Sequence, residues 1–268
     1  MKLPKRLRDQ LAEPRALVWA PLLGTLLMLP ALGVGYVMDD FVHLAALDDS
    51  APRVLRHAPH ELYRFMPDDP RWRQTALELG GLPWYIEPDL HGALLRPLAA
   101  LTIAFDIAAF PGRPALAHLH SLLWFAALAL VVARVYARLI PAAWVAGLAA
   151  LLFAVEDAHA HAVAWIANRH ALISMTFGAA ALLAHIRWRR DRSRAAAVLA
   201  PASLALGLAA GESALSMTAY LFAFALFLDP GRPLARVASL VPAALVAVAW
   251  RVAYDLLGYG THGMAAYV

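Results

Sequence analysis

Long apolar runs, separated by short basic segments, make up most of the chain. A membrane-spanning helix needs about 20 mostly apolar residues. Runs that reach or approach this length predict seven spans, near residues 16–37, 115–139, 141–155, 162–187, 195–210, 213–228 and 237–257. The pattern therefore predicts an all-α, polytopic transmembrane helical bundle with a long polar loop over residues 38–114. Within that loop, the short apolar run 97–110 predicts an interfacial or re-entrant helix.

Charge follows the same division of the chain. The basic residues cluster at 2–15, 134–138, 187–194 and 232–236, beside the apolar runs. Basic loops stay on the cytoplasmic side of a membrane, so these clusters predict an N-terminus inside and a C-terminus outside. This topology splits the net charge of +4 into about +10 inside and −6 elsewhere. The basic balance thus reflects topology, and no nucleic-acid partner is expected.

Composition agrees with a single integral membrane domain over residues 1–268. The chain is 62% hydrophobic and 16% charged, whereas a soluble domain carries roughly a quarter charged residues. This balance excludes a disordered chain and most soluble enzymes. The chain has no cysteine, which excludes a disulfide scaffold.

Polar residues at the predicted outer ends of the spans are the candidates for chemistry. Asp39 and Asp40 follow the first run. Adjacent carboxylates repel each other and partial burial raises a carboxyl pKa, so one of them is suited to act as a general base toward an acceptor hydroxyl. The other interpretation is that they only end the helix at the water boundary. Arg96 precedes the short run 97–110 and is placed either to grip a phosphate or to lie at the interface as an ordinary arginine.

A second polar segment follows the short run 141–155. Its candidate residues are Glu156, Asp157, His159, His161, Asn168, Arg169 and His170. A helix would place Asp157 and His161 on one face, so Asp157, His159 and His161 offer a divalent-metal site as one interpretation. A polar loop that caps two helix ends is the other.

The polar break at 211–213 adds Glu212 to these groups. Two short spans around this break would draw the carboxylate below the outer membrane surface, where it needs a partner or water. Arg96 and Arg169 are the basic candidates for that partner. We therefore predict that Glu212, both arginines, the acidic pair and segment 156–170 meet around one outward-opening cavity.

These features together resemble the GT-C glycosyltransferases, most closely the protein O-mannosyltransferase type and its bacterial relatives. The shared elements are a first span ending in an acidic pair, a long outer loop, Arg-Pro-Leu at 96–98 and a turn between spans at 211–212. Residues 156–169, EDAHAHAVAWIANR, are similar to the family's His-Pro-x-His-x-Glu-Ala-Val-Ala-Trp-Ile-x-x-Arg segment. Here Asp157 replaces the motif's proline, His161 its glutamate and Gly211 the turn lysine.

The resemblance implies transfer of a sugar from a polyprenyl-phosphate carrier to an acceptor at the outer face of the bacterial inner membrane. It also implies that Asp39 or Asp40 is the general base and that Arg96 and Arg169 hold the donor phosphate. Many members need no metal, so none is expected here and no other cofactor is implied. The sugar stays open, as does the acceptor, which is a lipid, a glycan or a protein. Members are usually longer, so the chain is expected to be the front part of a larger enzyme.

Two other classes compete with this interpretation. A transporter or a non-catalytic scaffold for envelope assembly also carries charges inside a membrane bundle, and transporters often place sites at broken helices. Against it, the polar groups cluster on one predicted side and no internal repeat is evident. A metal-dependent hydrolase built on Asp157, His159 and His161 ranks third, since three ligands within five residues make a poor cage.

Overall fold

The computed structural model describes residues 4–87 and 89–263, which are mostly helical. Lys2 of the first basic cluster and the apolar tail 264–268 lie outside the described residues. The α-helices are α1 (Lys5–Ala12), α2 (Ala16–Leu27), α3 (Asp39–Ala46), α4 (Pro70–Glu78), α5 (Pro97–Ala109), α6 (Pro114–Leu139), α7 (Ala143–Val155), α8 (Ala158–Ala164), α9 (Arg169–Asp191), α10 (Arg194–Ala210), α11 (Met217–Phe227), α12 (Pro233–Ala238) and α13 (Val241–Leu256). Short 3-10 helices cover Leu29–Gly33, Arg53–Leu55, Ile166–Asn168 and Glu212–Ser216. Strands β1 (His91–Ala93) and β2 (Gly260–His262) form one antiparallel pair.

Helices cover most of each predicted span, but they differ in length, and the span predicted over 162–187 is divided between α8 and α9. Four helical segments are long and apolar enough to cross a membrane: Ala16–Gly33, Pro114–Leu139, Ile166–Asp191 and Pro233–Leu256. The pair α7 and α8, bent by 51°, makes a fifth if it is one span. Helix α10 and the segment Glu212–Phe227 are shorter apolar helices, as is α5 in the loop. By length and composition, the described chain is therefore an all-helical membrane protein with four to five candidate spans.

The helix surfaces agree with a lipid environment. Only 17% of the apolar window in Pro233–Leu256 is buried inside the protein. Large side chains such as Phe222, Phe227 and Val248 are exposed on α11 and α13. Contiguous apolar surface of this extent is unfavourable in water and favourable against lipid chains.

One end of the bundle collects the basic clusters. Arg138 at the end of α6 pairs with Asp191 at the end of α9, at 2.9 Å. Arg189 pairs with Asp229, which follows α11, at 2.6 Å. The ends of α6, α9 and α11 therefore lie close together.

The long loop packs on the opposite end. Strand β1 in the loop pairs with β2, which follows α13. Arg64 in the loop donates to the carbonyl of Leu257 at 3.0 Å and lies over the ring of Tyr259. The loop and the residues after α13 thus lie at the same end of the bundle.

Two helix boundaries bear on the site. The span predicted to begin at residue 162 is interrupted, because Trp165 is extended (φ −127°, ψ 109°) and a 3-10 turn follows before α9 begins at Arg169. The alanine-rich sequence around Trp165 does not predict this break. The break predicted at 211–213 is confirmed, since Gly211 ends α10 with extended backbone and a 3-10 helix begins at Glu212.

Candidate active site

The two adjacent aspartates have different surroundings. Met38, whose φ is 47°, turns the chain sharply just before α3 begins at Asp39. Asp40 is 3% exposed, and its two oxygens accept hydrogen bonds from the backbone N–H groups of Val37 (2.9 Å) and Ala167 (2.7 Å). Asp39 is half-buried and accepts no hydrogen bond from any described residue. Asp40 therefore has a structural role, because it links the start of α3 to the backbone of Ala167. Asp39 is the carboxylate that remains available to a ligand.

The surroundings of Asp39 also change its acidity. Burial raises the pKa of Asp39 above its ordinary value, and the neighbouring Asp40 charge raises it further. Arg96 acts in the opposite direction. A carboxylate with a raised pKa is a stronger base, which suits proton abstraction near neutral pH.

Arg96 and Glu212 meet as predicted, although they are far apart in the chain. Arg96 precedes α5, and its Nε lies 2.8 Å from Glu212 Oε2. The guanidinium carbon lies 5.1 Å from the centre of the Tyr63 ring. Ser174 holds the turn that carries Glu212, because its hydroxyl donates to the carbonyl of Gly211 and accepts from the backbone N–H of Ala214. Arg96 is thus oriented by a carboxylate on one edge and an aromatic ring on its face.

One cavity joins Asp39 to Arg96. It has a volume of about 220 Å³ and is also lined by Asn168 and His170. Its remaining walls are aromatic or apolar, and comprise Tyr63, Phe65, Trp165 and Ala167. Of the predicted cavity residues, the structure therefore brings together Asp39, Arg96, Asn168 and His170, with Glu212 behind the arginine.

Several polar atoms at this cavity have no protein partner. Trp165 Nε1, His170 Nδ1 and Glu212 Oε1 are buried and make no hydrogen bond within the described residues. Buried polar groups are nearly always hydrogen-bonded to protein or water, so such a cluster is typical of a site that binds water or a polar ligand. Tyr63, Phe65 and Trp165 were not among the predicted site residues; Tyr63 and Phe65 lie within the long polar loop, and Trp165 lies in the segment 156–169, which was the one sequence signal for it.

The segment 165–170 is held from two sides. Asp40 binds the N–H of Ala167, and the hydroxyl of Tyr63 donates to the carbonyl of the same residue at 2.5 Å. Both contacts come from the outer loop. The loop thereby positions Asn168 and His170 against the cavity.

Arg169 lies behind the cavity wall. Its side chain is fully buried, with Nη1 2.6 Å from Asp106 Oδ2. Its Nε donates to Ser121, and Nη2 donates to the carbonyl of Ala117. Asp106 also contacts His120 Nδ1 at 2.9 Å. The arginine predicted to hold phosphate is therefore engaged by an aspartate from the apolar run 97–110.

The acids and histidines of segment 156–161 lie elsewhere. Glu156, Asp157 and His161 are exposed, and none of them lines the cavity. His159 turns inward between Phe125 and Phe153, and one ring nitrogen contacts the carbonyl of Phe153 at 2.9 Å. His161 contacts the Asn168 side chain and the edge of the Trp165 ring, but it does not itself line the cavity.

This arrangement corrects two expectations. Glu156, Asp157, His159 and His161 do not join the cavity, because the bend between α7 and α8 directs them to the surface or into a different apolar region. The three residues of the alternative metal site, Asp157, His159 and His161, are not brought together as ligands either. Over residues 4–87 and 89–263 there is no group of three or more acids or histidines arranged to hold a metal ion.

The cavity therefore combines a free carboxylate, an oriented arginine and aromatic walls at the loop end of a membrane bundle. Such a set is suited to abstract a proton from a neutral hydroxyl and to neutralise an anion beside it. No family model, curated protein or solved structure matches the chain.

Proposed function

We propose that the chain transfers a sugar from a polyprenyl-phosphate carrier to an acceptor hydroxyl at the outer face of a bacterial inner membrane. The observation that carries this proposal is that Asp39 and Arg96 share one cavity at the loop end of the bundle. A base and an anion-binding group in one membrane-side cavity are what displacement of a phosphate leaving group requires. The resemblance of the sequence to the GT-C class points to the same chemistry.

The proposed reaction is a single inverting displacement. Asp39 takes the proton from the acceptor hydroxyl, and the acceptor oxygen forms a bond to the anomeric carbon of the donor sugar. The bond from that carbon to the phosphate oxygen breaks, and its electron pair leaves with the polyprenyl phosphate. Arg96 balances the charge that develops on the leaving phosphate.

Arg96 has the free donors that this role needs. Only its Nε is engaged with Glu212, and its two terminal nitrogens donate to no group among the described residues. Two terminal nitrogens match two phosphate oxygens bidentately. We assign Arg169 a supporting role, because its guanidinium is enclosed by Asp106 and Ser121.

The proposed topology has seven crossings, with the N-terminus inside and the loop and C-terminal segment outside. The β1–β2 pair supports it, because an even number of crossings must separate two segments that pair at one end. Six helices cross between them in this topology: α6, α7, α9, α10, α11 and α13. The arginines at the opposite end are then cytoplasmic.

The experiment compares purified variants reconstituted in proteoliposomes with a radiolabelled polyprenyl-phosphate sugar and a membrane extract as the source of acceptor. We expect Asp39→Asn to reduce loss of label from the donor by at least about 100-fold, the usual scale for removing a general base. Asp48→Asn is the matched control, because Asp48 is an exposed acid in the same loop. Full transfer by Asp39→Asn would overturn the proposal.

A transporter would give a different result. The cysteine-free chain allows Ser213→Cys, an exposed position next to Glu212, to be labelled with a membrane-impermeant thiol reagent. Labelling only from the face that carries the loop is expected of the transferase. Labelling from both faces would favour a transport path.

A further inference from the structure

A second and larger cavity adjoins the first. It has a volume of about 490 Å³, and Asp39 and Phe65 line both cavities. Its walls come from α3, α4 and the 3-10 turn Arg53–Leu55, all within the outer loop. The volume is in the range of sites that enclose a small molecule, about 300–1,000 Å³.

The two cavities differ in charge. The first contains Arg96, whereas no lysine or arginine of the described chain lines the second. The second is mostly apolar, with Asp39, His57 and Trp72 as its polar contributors. Trp72 Nε1 is buried without a protein partner. Such a cavity suits an uncharged ligand that has an apolar body and few hydrogen-bonding groups.

The rim of the second cavity is itself apolar and exposed. Phe41, Val42 and Leu79 line it and are 58%, 43% and 62% exposed. They lie on the loop that packs at one end of the membrane bundle. An exposed apolar rim at the end of a membrane bundle favours entry of a molecule from the lipid interface over entry from bulk water.

We infer that the second cavity is the acceptor site, and that the acceptor is a neutral amphiphile: a membrane lipid with a free hydroxyl on its headgroup. This inference rests on the proposed function and narrows its acceptor to one class. Asp39 stands between the two cavities. A hydroxyl in the second cavity would meet the base on one side, while the phosphate is held by Arg96 on the other.

This placement also separates the two substrates by charge. The anionic donor is attracted to the arginine cavity, and the apolar cavity disfavours it because an unpaired phosphate there would lose its hydration. The neutral acceptor has no such penalty. The proton, the new glycosidic bond and the released phosphate then follow the displacement described above.

The test uses soluble alkyl glycosides as acceptors with the reconstituted full chain and a labelled polyprenyl-phosphate sugar. Methyl, butyl and hexyl glycosides present the same headgroup on apolar chains of increasing length. We expect KM for the acceptor to fall by at least about tenfold from methyl to hexyl, because each buried methylene favours binding severalfold. An equal KM for all three would overturn the inference while leaving glycosyl transfer intact.

A cavity-filling variant locates the effect. Ala45 lines the second cavity at an exposed position, so Ala45→Phe narrows the cavity without crowding the buried core. We expect it to raise KM for the hexyl acceptor by about tenfold, removing the chain-length gain, while KM for the donor is unchanged. Ala109→Phe, at an exposed position of α5 away from both cavities, is the matched control. Equal effects of the two variants, or a rise in donor KM, would contradict the assignment.

Photocrosslinking gives a readout that needs no turnover. A hexyl glycoside with a diazirine in its chain is expected to label α3 and α4, and Ala45→Phe is expected to abolish the labelling. Labelling elsewhere overturns the acceptor site. Labelling of α3 and α4 by a protein that never consumes the donor would instead show that the proposed transferase function has failed and that the cavity is only an amphiphile site.

Discussion

Breaking the buried pair of Asp106 and Arg169 is expected to be the most costly single change near the site. Asp106→Ala removes a carboxylate that lies 2.6 Å from the Arg169 guanidinium. The side chains are 3% and 0% exposed, so water does not replace the lost partner. The hydrogen-bond acceptors that remain for Arg169 include the Ser121 hydroxyl and the Ala117 carbonyl, which carry no net charge.

The expected loss of stability follows from this geometry. Removing one partner of a buried ion pair costs about 3–5 kcal/mol, because the other charge stays buried and uncompensated. At about 2–4 °C per kcal/mol, this lowers the unfolding midpoint by roughly 10 °C. Asp191→Ala is the control, because its pair with Arg138 is exposed at 2.9 Å and such pairs contribute about 0–1 kcal/mol.

The assay is thermal unfolding of the purified protein in detergent, followed by tryptophan fluorescence. A double variant, Asp106→Leu with Arg169→Met, is expected to recover most of the loss, because an apolar pair leaves no buried charge unpaired. If Asp106→Ala lowers the midpoint no more than Asp191→Ala, the pair does not hold Arg169 and the assignment of a supporting role is refuted.

Three further predictions concern packing and protonation. Gly24→Ala should destabilise the bundle by about 1–3 kcal/mol, because a Cβ there would overlap the backbone carbonyl oxygen of Ala154 in α7, whereas Gly33→Ala meets open space. His43 is fully buried with both ring nitrogens unpartnered, and burial lowers its pKa to about 3. The stabilisation from neutral His43 is therefore fully present above pH 6.5 and is lost as the pH falls toward 3. His43→Phe should reduce the pH dependence of the free energy of unfolding over this range. Transfer should decline on acidification through the raised pKa of Asp39, and Arg96→Gln should move that decline to higher pH, because Arg96 lowers this pKa.

Each of these has a result that contradicts it. Equal unfolding midpoints for the two glycine variants would mean that α2 and α7 do not pack as closely as described. An unchanged pH dependence of unfolding in His43→Phe would show that another group titrates over that range. If Arg96→Gln at saturating donor has the same pH–rate profile as the unmodified protein, the ionisation that controls transfer is not that of Asp39.

The helices were predictable because apolar runs of this length have few alternatives in a membrane protein. The break at Gly211 was predictable for a related reason, since a glycine and a glutamate interrupt an otherwise apolar stretch. The break at Trp165 was not, because its alanine-rich surroundings suit a continuous helix equally well. Tertiary contacts decide it: Asp40 and Tyr63 bind the backbone of Ala167.

The site was predicted in part. Arg96, Glu212, Asn168 and His170 gather as expected, because they lie at helix ends on one side of the bundle. The roles of Asp39 and Asp40 were not separable from sequence, since adjacent residues share every local property and differ only in which backbone groups they reach.

The partner of Arg169 also escaped the sequence analysis. Asp106 is 63 residues away in the chain, and its one signal was an acid inside an apolar run, which is costly unless paired. Asp157 was predicted to line the cavity but is exposed, because helical spacing alone does not show toward which neighbour a side chain turns.

The most direct test of the central claim compares Asp39→Asn with Asp48→Asn in transfer of label from a polyprenyl-phosphate sugar by reconstituted protein. Retained unfolding midpoints establish that both variants are folded. We expect the exposed Asp48 variant to keep full transfer and the Asp39 variant to lose at least about 100-fold. Equal transfer by the two variants would contradict the assignment of Asp39 as the base and, with it, the proposed function of the cavity.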